Sequence, residues 1–218
     1  MTNRAIAVVG GTGKLGAALS RRLAKAGHRV FIGSRSPDRA RAIAEEFGMD
    51  AAGMTNTEAA SAGEVVIVTV PFAAQEATLA EIAPHVSGKI VVDTTVPLVP
   101  PKVMRVQLPP EGSAAARAKR LLGEGISVVS AFHNVAAHKL ATDEDVECDV
   151  LVFGDDKPAR SVVVELVNAI GLRGIHGGAL DNSAATEAMT SVLIFINKTY
   201  TVDGAGVQIT GKLNEPAS

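Results

Sequence analysis

The amino-acid sequence predicts a doubly wound α/β fold, in which helices cover both faces of a parallel β-sheet. Short, continuous apolar runs recur along the 218 residues, as is typical of strands that are buried on both faces. Segments with helical periodicity separate these runs, and the connections are short enough for right-handed crossovers. An aromatic content of only 3% and 21 glycines fit layers that approach each other closely through small side chains.

Six apolar runs predict strands, and three of the intervening patterns predict helices. The strands are expected over residues 5–9, 29–32, 65–70, 90–92, 127–130 and 150–153. The helices are expected over residues 14–26, 37–47 and 73–83. The second helix has the clearest start, because Ser36 is a favoured N-cap residue and Pro37 suits the first helical turn.

Two stretches depart from this alternation. Five prolines between Val96 and Glu111 exclude a regular helix or a central strand, so we expect an irregular flap over residues 96–111. The flap begins at the carboxyl end of a strand and should border a functional site. From Pro158 onward, a helix to Ile170, a strand over 172–176 and an apolar helix over 182–198 predict a small carboxy-terminal helical unit.

A glycine-rich loop joins the first predicted strand to the first helix. Gly11, Gly13 and Gly16 form the pattern G-x-G-x-x-G around Thr12, Lys14 and Leu15. In this pattern the first glycine allows a tight turn, the second lets the backbone approach a pyrophosphate, and the third lets the helix pack on the strand. The pattern alone is a weak signal, but here a strand precedes it and a helix and a second strand follow. We therefore predict a Rossmann-type fold that binds a dinucleotide at the helix N-terminus.

The end of the second strand indicates which dinucleotide binds. NAD-binding proteins usually place an acidic residue there, whereas this chain offers Ser34, Arg35 and Arg39 and has no acid before Asp38. A hydroxyl and guanidinium groups suit the 2′-phosphate of NADP(H), which a carboxylate would repel. The alternative is that Arg35 and Arg39 are solvated charges at a helix start. We expect residues 1–156 to form the NADP-binding domain and residues 157–218 to close the substrate cleft.

Ligands of open α/β sheets lie beyond the carboxyl ends of the strands, so the residues there are the candidates for chemistry. Val70 with Pro71, and Val96 with Pro97, are uncharged, and an apolar pocket suits hydride transfer. His133 can exchange a proton near neutral pH and is our catalytic candidate, while Asn134 can bind a carboxamide. The alternative for His133 is a buried histidine with a structural role.

Other classes of function are disfavoured. The histidines show no metal-binding spacing, so we expect no metal, and a net charge of −2 without tryptophan argues against nucleic-acid binding. G-x-S-x-G and P-loop motifs are missing from the sequence, and the single Cys148 cannot form an internal disulfide. The apolar runs are shorter than the roughly 20 residues of a membrane span, and Met1 leaves no room for a signal peptide before the first strand. We therefore expect a cytoplasmic protein.

Five segments resemble the NADPH-dependent reductases of the 5-deazaflavin coenzyme F420, the F420:NADP oxidoreductases. The segments are GGTGKLG (10–16), GSRS (33–36), VSAFHNV (129–135), CDVLVFGDD (148–156) and AGVQITG (205–211). The resemblance implies that residues 12–15 hold the pyrophosphate, that Ser34, Arg35 and Arg39 hold the 2′-phosphate, and that Val70, Val96 and Ala137 line the nicotinamide side. It also implies a deazaflavin stacked on the nicotinamide under the flap, with direct hydride transfer between the two rings.

The last predicted helix raises two further points. Relatives often carry an arginine near its start, where this chain has Ala184, so the charge for an anionic deazaflavin tail would come from flap-side cations such as Lys102, Arg105, Arg117 or Lys119. Alternatives are reduction of another acceptor (a flavin, an imine or a carbonyl) and a non-catalytic NADP-binding redox sensor. Because residues 192–196 are apolar on all sides of the helix, we also expect a homodimer that buries them.

Overall fold

The computed structural model describes residues 3–214, which form one eight-stranded sheet with helices on both faces. The strands are β1 (Ala5–Val9), β2 (Arg29–Gly33), β3 (Ala51–Met54), β4 (Val65–Val68), β5 (Ile90–Asp93), β6 (Ser127–Ser130), β7 (Asp149–Phe153) and β8 (Arg173–Gly178). Their order across the sheet is β3-β2-β1-β4-β5-β6-β7-β8. The predicted α/β fold with a doubly wound sheet is confirmed.

Among the described residues, seven α-helices connect the strands and an eighth follows the last strand. They are α1 (Lys14–Lys25), α2 (Pro37–Phe47), α3 (Asn56–Ala62), α4 (Phe72–Ile82), α5 (Ala114–Leu122), α6 (Ala137–Leu140), α7 (Lys157–Ala169) and α8 (Ser183–Tyr200), as far as the described residues show. Every strand and helix expected from the sequence is present within a few residues of its expected bounds. β3, α3, α5 and α6 were not expected from the sequence. The flap contains neither helix nor strand, as its prolines predict.

The sheet is not parallel throughout, which corrects one expectation. Strands β1 to β6 are mutually parallel, but β7 runs antiparallel to β6, and the pair is joined only at Ser130 and Phe153. In an antiparallel pair, moving back along one strand corresponds to moving forward along the other. Since Phe153 lies opposite Ser130, residues 149–152 of β7 lie beyond the carboxyl end of β6. The ribbon formed by β7 and β8 therefore projects past the edge of the parallel sheet where ligands bind.

Alternating side chains of the sheet separate the core into two layers. Ile6 and Val8 of β1 belong to the cluster that includes α1 and α7 residues such as Leu19 and Leu166. Ala7 and Val9 belong to the opposite cluster, which includes Leu79 of α4 and residues of α3 and α5. All four β1 side chains are fully buried, as expected of a central strand of a parallel sheet.

The carboxyl ends of the central strands are level with each other. Val9 of β1 pairs in register with Gly33 of β2 and with Val68 of β4, so the loops after all three strands start at one edge. The expected domain boundary at 156/157 falls between β7 and α7, and β8 pairs with β7 across it. None of the helices among residues 3–214 is long and apolar enough to cross a membrane.

Candidate nucleotide and hydride-transfer site

A cleft of about 1080 Å³ opens at the carboxyl edge of the sheet, around the N-terminus of α1. Nine of the residues predicted to bind a cofactor line it. They are Thr12, Gly13, Lys14, Ser34, Arg35, Arg39, Val70, Pro71 and Ala137. Of the other predicted residues, Gly11 and Gly16 are buried behind the loop, and Leu15 is half-buried against the core. The structure therefore brings the glycine loop, the tip of β2 and the end of β4 around one space.

The glycine loop is built as the sequence motif requires, with one difference. The tight turn falls at Gly10, which has φ of +74°, and not at Gly11. Gly11 is instead needed for space, because a Cβ there would lie 2.7 Å from the carbonyl oxygen of Val8. A Cβ on Gly16 would lie 2.6 Å from Oγ1 of Thr69. Gly13 is exposed to the cleft, and its carbonyl accepts the N–H of Ala17 in the first turn of α1.

The tip of β2 presents hydroxyl and guanidinium groups, as predicted. Oγ of the buried Ser34 lies 3.1 Å from Oγ1 of Thr12 and accepts the N–H of Ser36, also at 3.1 Å. Arg35 and Arg39 are exposed and line the cleft, and neither takes part in an ion pair among residues 3–214. Asp38, the first acid after β2, is paired with Arg41. Two cations among the described residues therefore line the cleft without a direct ion pair.

Asn56 is a site residue that the sequence analysis missed. It is buried at the start of α3, lines the cleft, and its Oδ1 accepts the N–H of Gly10 at 3.2 Å. The helix that carries it begins with a capping box, in which Thr55 accepts the N–H of Glu58 and the Glu58 carboxylate accepts the N–H of Thr55. That signature, Thr-x-x-Glu, could have located α3 and hence Asn56 from the sequence.

His133 lies beneath the site and not in the cleft. Its side chain is buried, with Nε2 at 3.1 Å from Oγ of Ser130 and Nδ1 at 3.0 Å from Oγ1 of Thr186. Burial lowers the pKa of His133 to about 4, so the ring is neutral at physiological pH. This geometry favours the structural interpretation of His133, while its catalytic role stays a prediction.

Asn134 and its neighbours attach α8 to the end of β6. Nδ2 of Asn134 donates to the carbonyl oxygen of Thr186 at 2.9 Å and to Oγ1 of Thr190 at 3.0 Å. Thr190 in turn donates to the carbonyl oxygen of His133 at 3.0 Å. Both amide donors are thus engaged within the protein, and Asn134 does not line the cleft. Asn134, which the sequence predicts to contact a cofactor, thus holds α8 against the end of β6.

Val96 and Pro97 follow β5 but do not line the main cleft. Val96 is half-buried and Pro97 is buried, at the point where the flap leaves the sheet. A second cavity of about 530 Å³ lies farther along, on the ribbon of β7 and β8. Phe153, Ile175 and Ala184 are among its lining residues, so the position where the resemblance places an arginine is a wall of this second cavity.

The carboxy-terminal tail (residues 201–214) is attached at two places, near Asp203 and at Ile209. Nε2 of His138, a residue that lines the cleft, lies 2.8 Å from Oδ1 of Asp203. Farther along, Oδ2 of the buried Asp149 accepts the N–H of Ile209 at 2.6 Å, and Arg173 donates to the same carboxylate. The tail therefore runs from the α6 side of the cleft to the ribbon of β7 and β8.

Comparisons with known proteins agree with this architecture. The family model described as "NADP oxidoreductase coenzyme F420-dependent" matches residues 5–97. The F420-dependent NADP reductase of Methanocaldococcus jannaschii is 40% identical, over 94% of this chain and 97% of its own length. That of Methanothermobacter thermautotrophicus is 41% identical, over 94% of each chain. A solved structure from Arthrobacter sp. FB24 has a TM-score of 0.85 at 24% identity, covers 96% of this chain and 100% of its own, and supports the fold.

Proposed function

This chain belongs to the family of F420-dependent NADP reductases, and from that membership we propose that it transfers a hydride between NADP(H) and coenzyme F420. The observation that carries the proposal is identity of about 40% to curated reductases of this name along nearly the whole chain. The chain is accordingly an NADP-dependent oxidoreductase. Two solved imine reductases share the fold at 16% identity, a likeness that does not extend to their substrates.

The cleft fits NADP(H) on its own geometry. The exposed Gly13 leaves backbone free to approach a pyrophosphate at the N-terminus of α1, where unpaired N–H groups favour an anion. We propose that Thr12, Gly13, Lys14 and Leu15 hold the pyrophosphate, with Gly11 and Gly16 shaping the loop. Ser34, Arg35 and Arg39 would hold the 2′-phosphate, because they combine a hydroxyl with two cations that pair with no carboxylate of residues 3–214.

The remaining predicted residues would shape the hydride-transfer end. When bound, the two coenzymes supply the chemistry, a hydride passing between the nicotinamide C4 and the deazaflavin C5. Val70, Pro71 and Ala137 line the cleft and offer apolar surface to a planar ring. Val96 and Pro97 would complete this surface from the flap. The protein's contribution is then to place two rings in contact and exclude water, which requires few acid–base groups.

The test is to mix the purified protein with NADPH and authentic F420 and to follow the visible absorbance of the deazaflavin. We expect the absorbance to bleach with NADPH, and NADH at the same concentration is the matched control. A protein that binds NADPH but leaves the deazaflavin oxidised would contradict the proposal. Because Ala184 stands where relatives often carry arginine, the same assay with a flavin, an imine and a carbonyl tests the second candidate, reduction of another acceptor.

A homodimer and a cytoplasmic location complete the proposal. On α8, Met189, Val192 and Phe195 are exposed and form an apolar stripe, with 52% of the Phe195 surface accessible. Such a stripe on one long helix is the kind of surface that a second copy covers. Light scattering at micromolar concentration should show a dimer, and a monomer would contradict it. The cytoplasm stays the predicted compartment.

A further inference from the structure

Two carboxyl groups and an amide are buried at the base of the segment that leads out to the flap and back. This β5–α5 connection (residues 94–113) leaves the sheet after Asp93 and returns to a helix at Ala114. Asp93 and Gln75 are fully buried, and Glu187 is 1% exposed. Carboxyl groups are almost never buried so completely unless they bind specific partners, so their partners indicate their role.

Each of the two carboxyl side chains binds one end of the connection. Oδ1 of Asp93 accepts the N–H of Thr95 at 3.0 Å, which fixes the first residues of the connection. From α8, Oε2 and Oε1 of Glu187 accept the N–H groups of Ala114 and Ala115 at 2.6 and 3.1 Å. These are free donors of the first turn of α5, so Glu187 caps that helix from another element.

Gln75 of α4 joins the two ends. Its Nε2 donates to Oδ2 of Asp93 at 2.6 Å and to the carbonyl oxygen of Ala114 at 2.9 Å. Its Oε1 is buried and has no hydrogen-bond partner among the described residues. An unsatisfied buried oxygen is costly, so packing alone does not explain an amide at this position.

We propose that Asp93, Gln75 and Glu187 form a clasp that sets the position of the flap, and with it Val96, at the hydride-transfer site. They are positioning residues, which act through the backbone at the two ends of the connection. The proposal rests on the proposed function and names what fixes one wall of that site. It predicts that loosening the clasp impairs ring alignment while leaving the phosphate-binding end of the cleft unchanged, because the glycine loop and β2 lie outside it.

The test compares Glu187→Gln, Gln75→Leu and the double variant, each confirmed as folded by circular dichroism. We expect single-turnover hydride transfer to slow by about tenfold, the usual effect of losing a buried hydrogen bond. The dissociation constant for NADPH should change by less than about twofold, since its phosphates bind elsewhere. The rise in the activation free energy of hydride transfer should be smaller in the double variant than the sum of the two single rises, because both side chains act on Ala114. Glu165→Gln, an exposed glutamate of α7, is the matched control.

Hydrogen–deuterium exchange of peptides from residues 94–115 provides a readout that does not depend on F420. Exchange should accelerate there in both single variants and stay unchanged in the control. Unchanged exchange overturns the proposal, and so does a loss of NADPH affinity as large as the loss of rate. If the wild-type protein transfers no hydride to F420, the proposed function fails, and the exchange pattern still decides whether the clasp holds the connection.

Discussion

At the scale of single residues, Ser34 shows how one hydroxyl connects two parts of the cleft. Its Oγ lies 3.1 Å from Oγ1 of Thr12, so the tip of β2 and the glycine loop are held at a fixed separation. The same oxygen accepts the N–H of Ser36 and so shapes the turn that exposes Arg35. The arginine is thus presented on an ordered turn, and its effect on a ligand should be strong.

Arg35→Asp should weaken NADPH binding by about a hundredfold, because a charge-assisted contact to phosphate is lost and a repulsion replaces it. NADH binding should change little, since NADH lacks the 2′-phosphate. Isothermal titration calorimetry with both nucleotides measures the difference. Arg41→Ala, which removes a cation of α2 that is paired with Asp38, is the control. Equal losses for both nucleotides would mean that the fold had been damaged.

His133→Gln should lower the free energy of unfolding by about 1–3 kcal/mol, because two buried hydroxyl contacts are disturbed. Hydride transfer by the folded fraction should stay within about threefold of wild type, as expected of a group outside the cleft. Urea denaturation and stopped-flow absorbance provide the two measurements. A hundredfold loss of rate in a stable variant would instead establish the catalytic role predicted from the sequence.

At the scale of elements, the sequence predicts what is local and misses what depends on distant contacts. β1 and α1 follow from an apolar run and a glycine motif, and α2 follows from Ser36 and Pro37. Three of the four residues of β3 are small, two alanines and a glycine before Met54, and no apolar run marks the strand. It pairs with β2 all the same. A Cβ on Gly53 would lie 2.1 Å from the backbone of α2, so only glycine lets that helix pack this closely on the strand.

The direction of β7 and the role of the His133–Asn134 pair escape sequence reasoning for a similar reason. A buried apolar run has the same pattern in either direction, and β7 is paired with β6 at a single position. Strand-end position identifies His133 and Asn134 as candidates, but it cannot show that α8 covers them. The phosphate-binding side was predictable because backbone and charge define it within 40 residues. The other side is assembled from segments more than 50 residues apart, such as the end of β6 and α8.

The attachment of the tail is an element-scale feature that can be tested directly. Arg173→Met should leave the buried Asp149 with fewer partners, lower the free energy of unfolding more than the control substitution does and expose residues 205–211 to proteolysis. Arg29→Met is the control, because the Arg29–Asp50 pair is exposed and 3.7 Å long. Equal proteolysis of wild type and variant would show that the Asp149–Arg173 pair does not hold the tail.

At the scale of the whole molecule, Glu187 should make stability depend on pH. Burial, with a smaller contribution from Asp93, raises the pKa of Glu187 to about 8. The unfolded chain therefore releases this proton near pH 4.5 and the folded protein near pH 8. The stabilisation from the proton is complete below pH 4.5 and is lost as the pH rises toward 8.

The measurement is the difference in free energy of unfolding between wild type and Glu187→Gln, which cancels the contributions of the histidines. Glutamine does not titrate, so the difference should fall by about 1.4 kcal/mol per pH unit between pH 5.5 and 7.5 in favour of the variant. Urea titrations at three pH values are sufficient. Only the slope of the difference against pH matters, because the hydrogen bonds altered by the substitution change the free energy of unfolding by the same amount at every pH. A slope of zero would mean that Glu187 is already ionised in the folded protein throughout this range. The buried carboxyl group at the start of α5 would then hold a permanent charge.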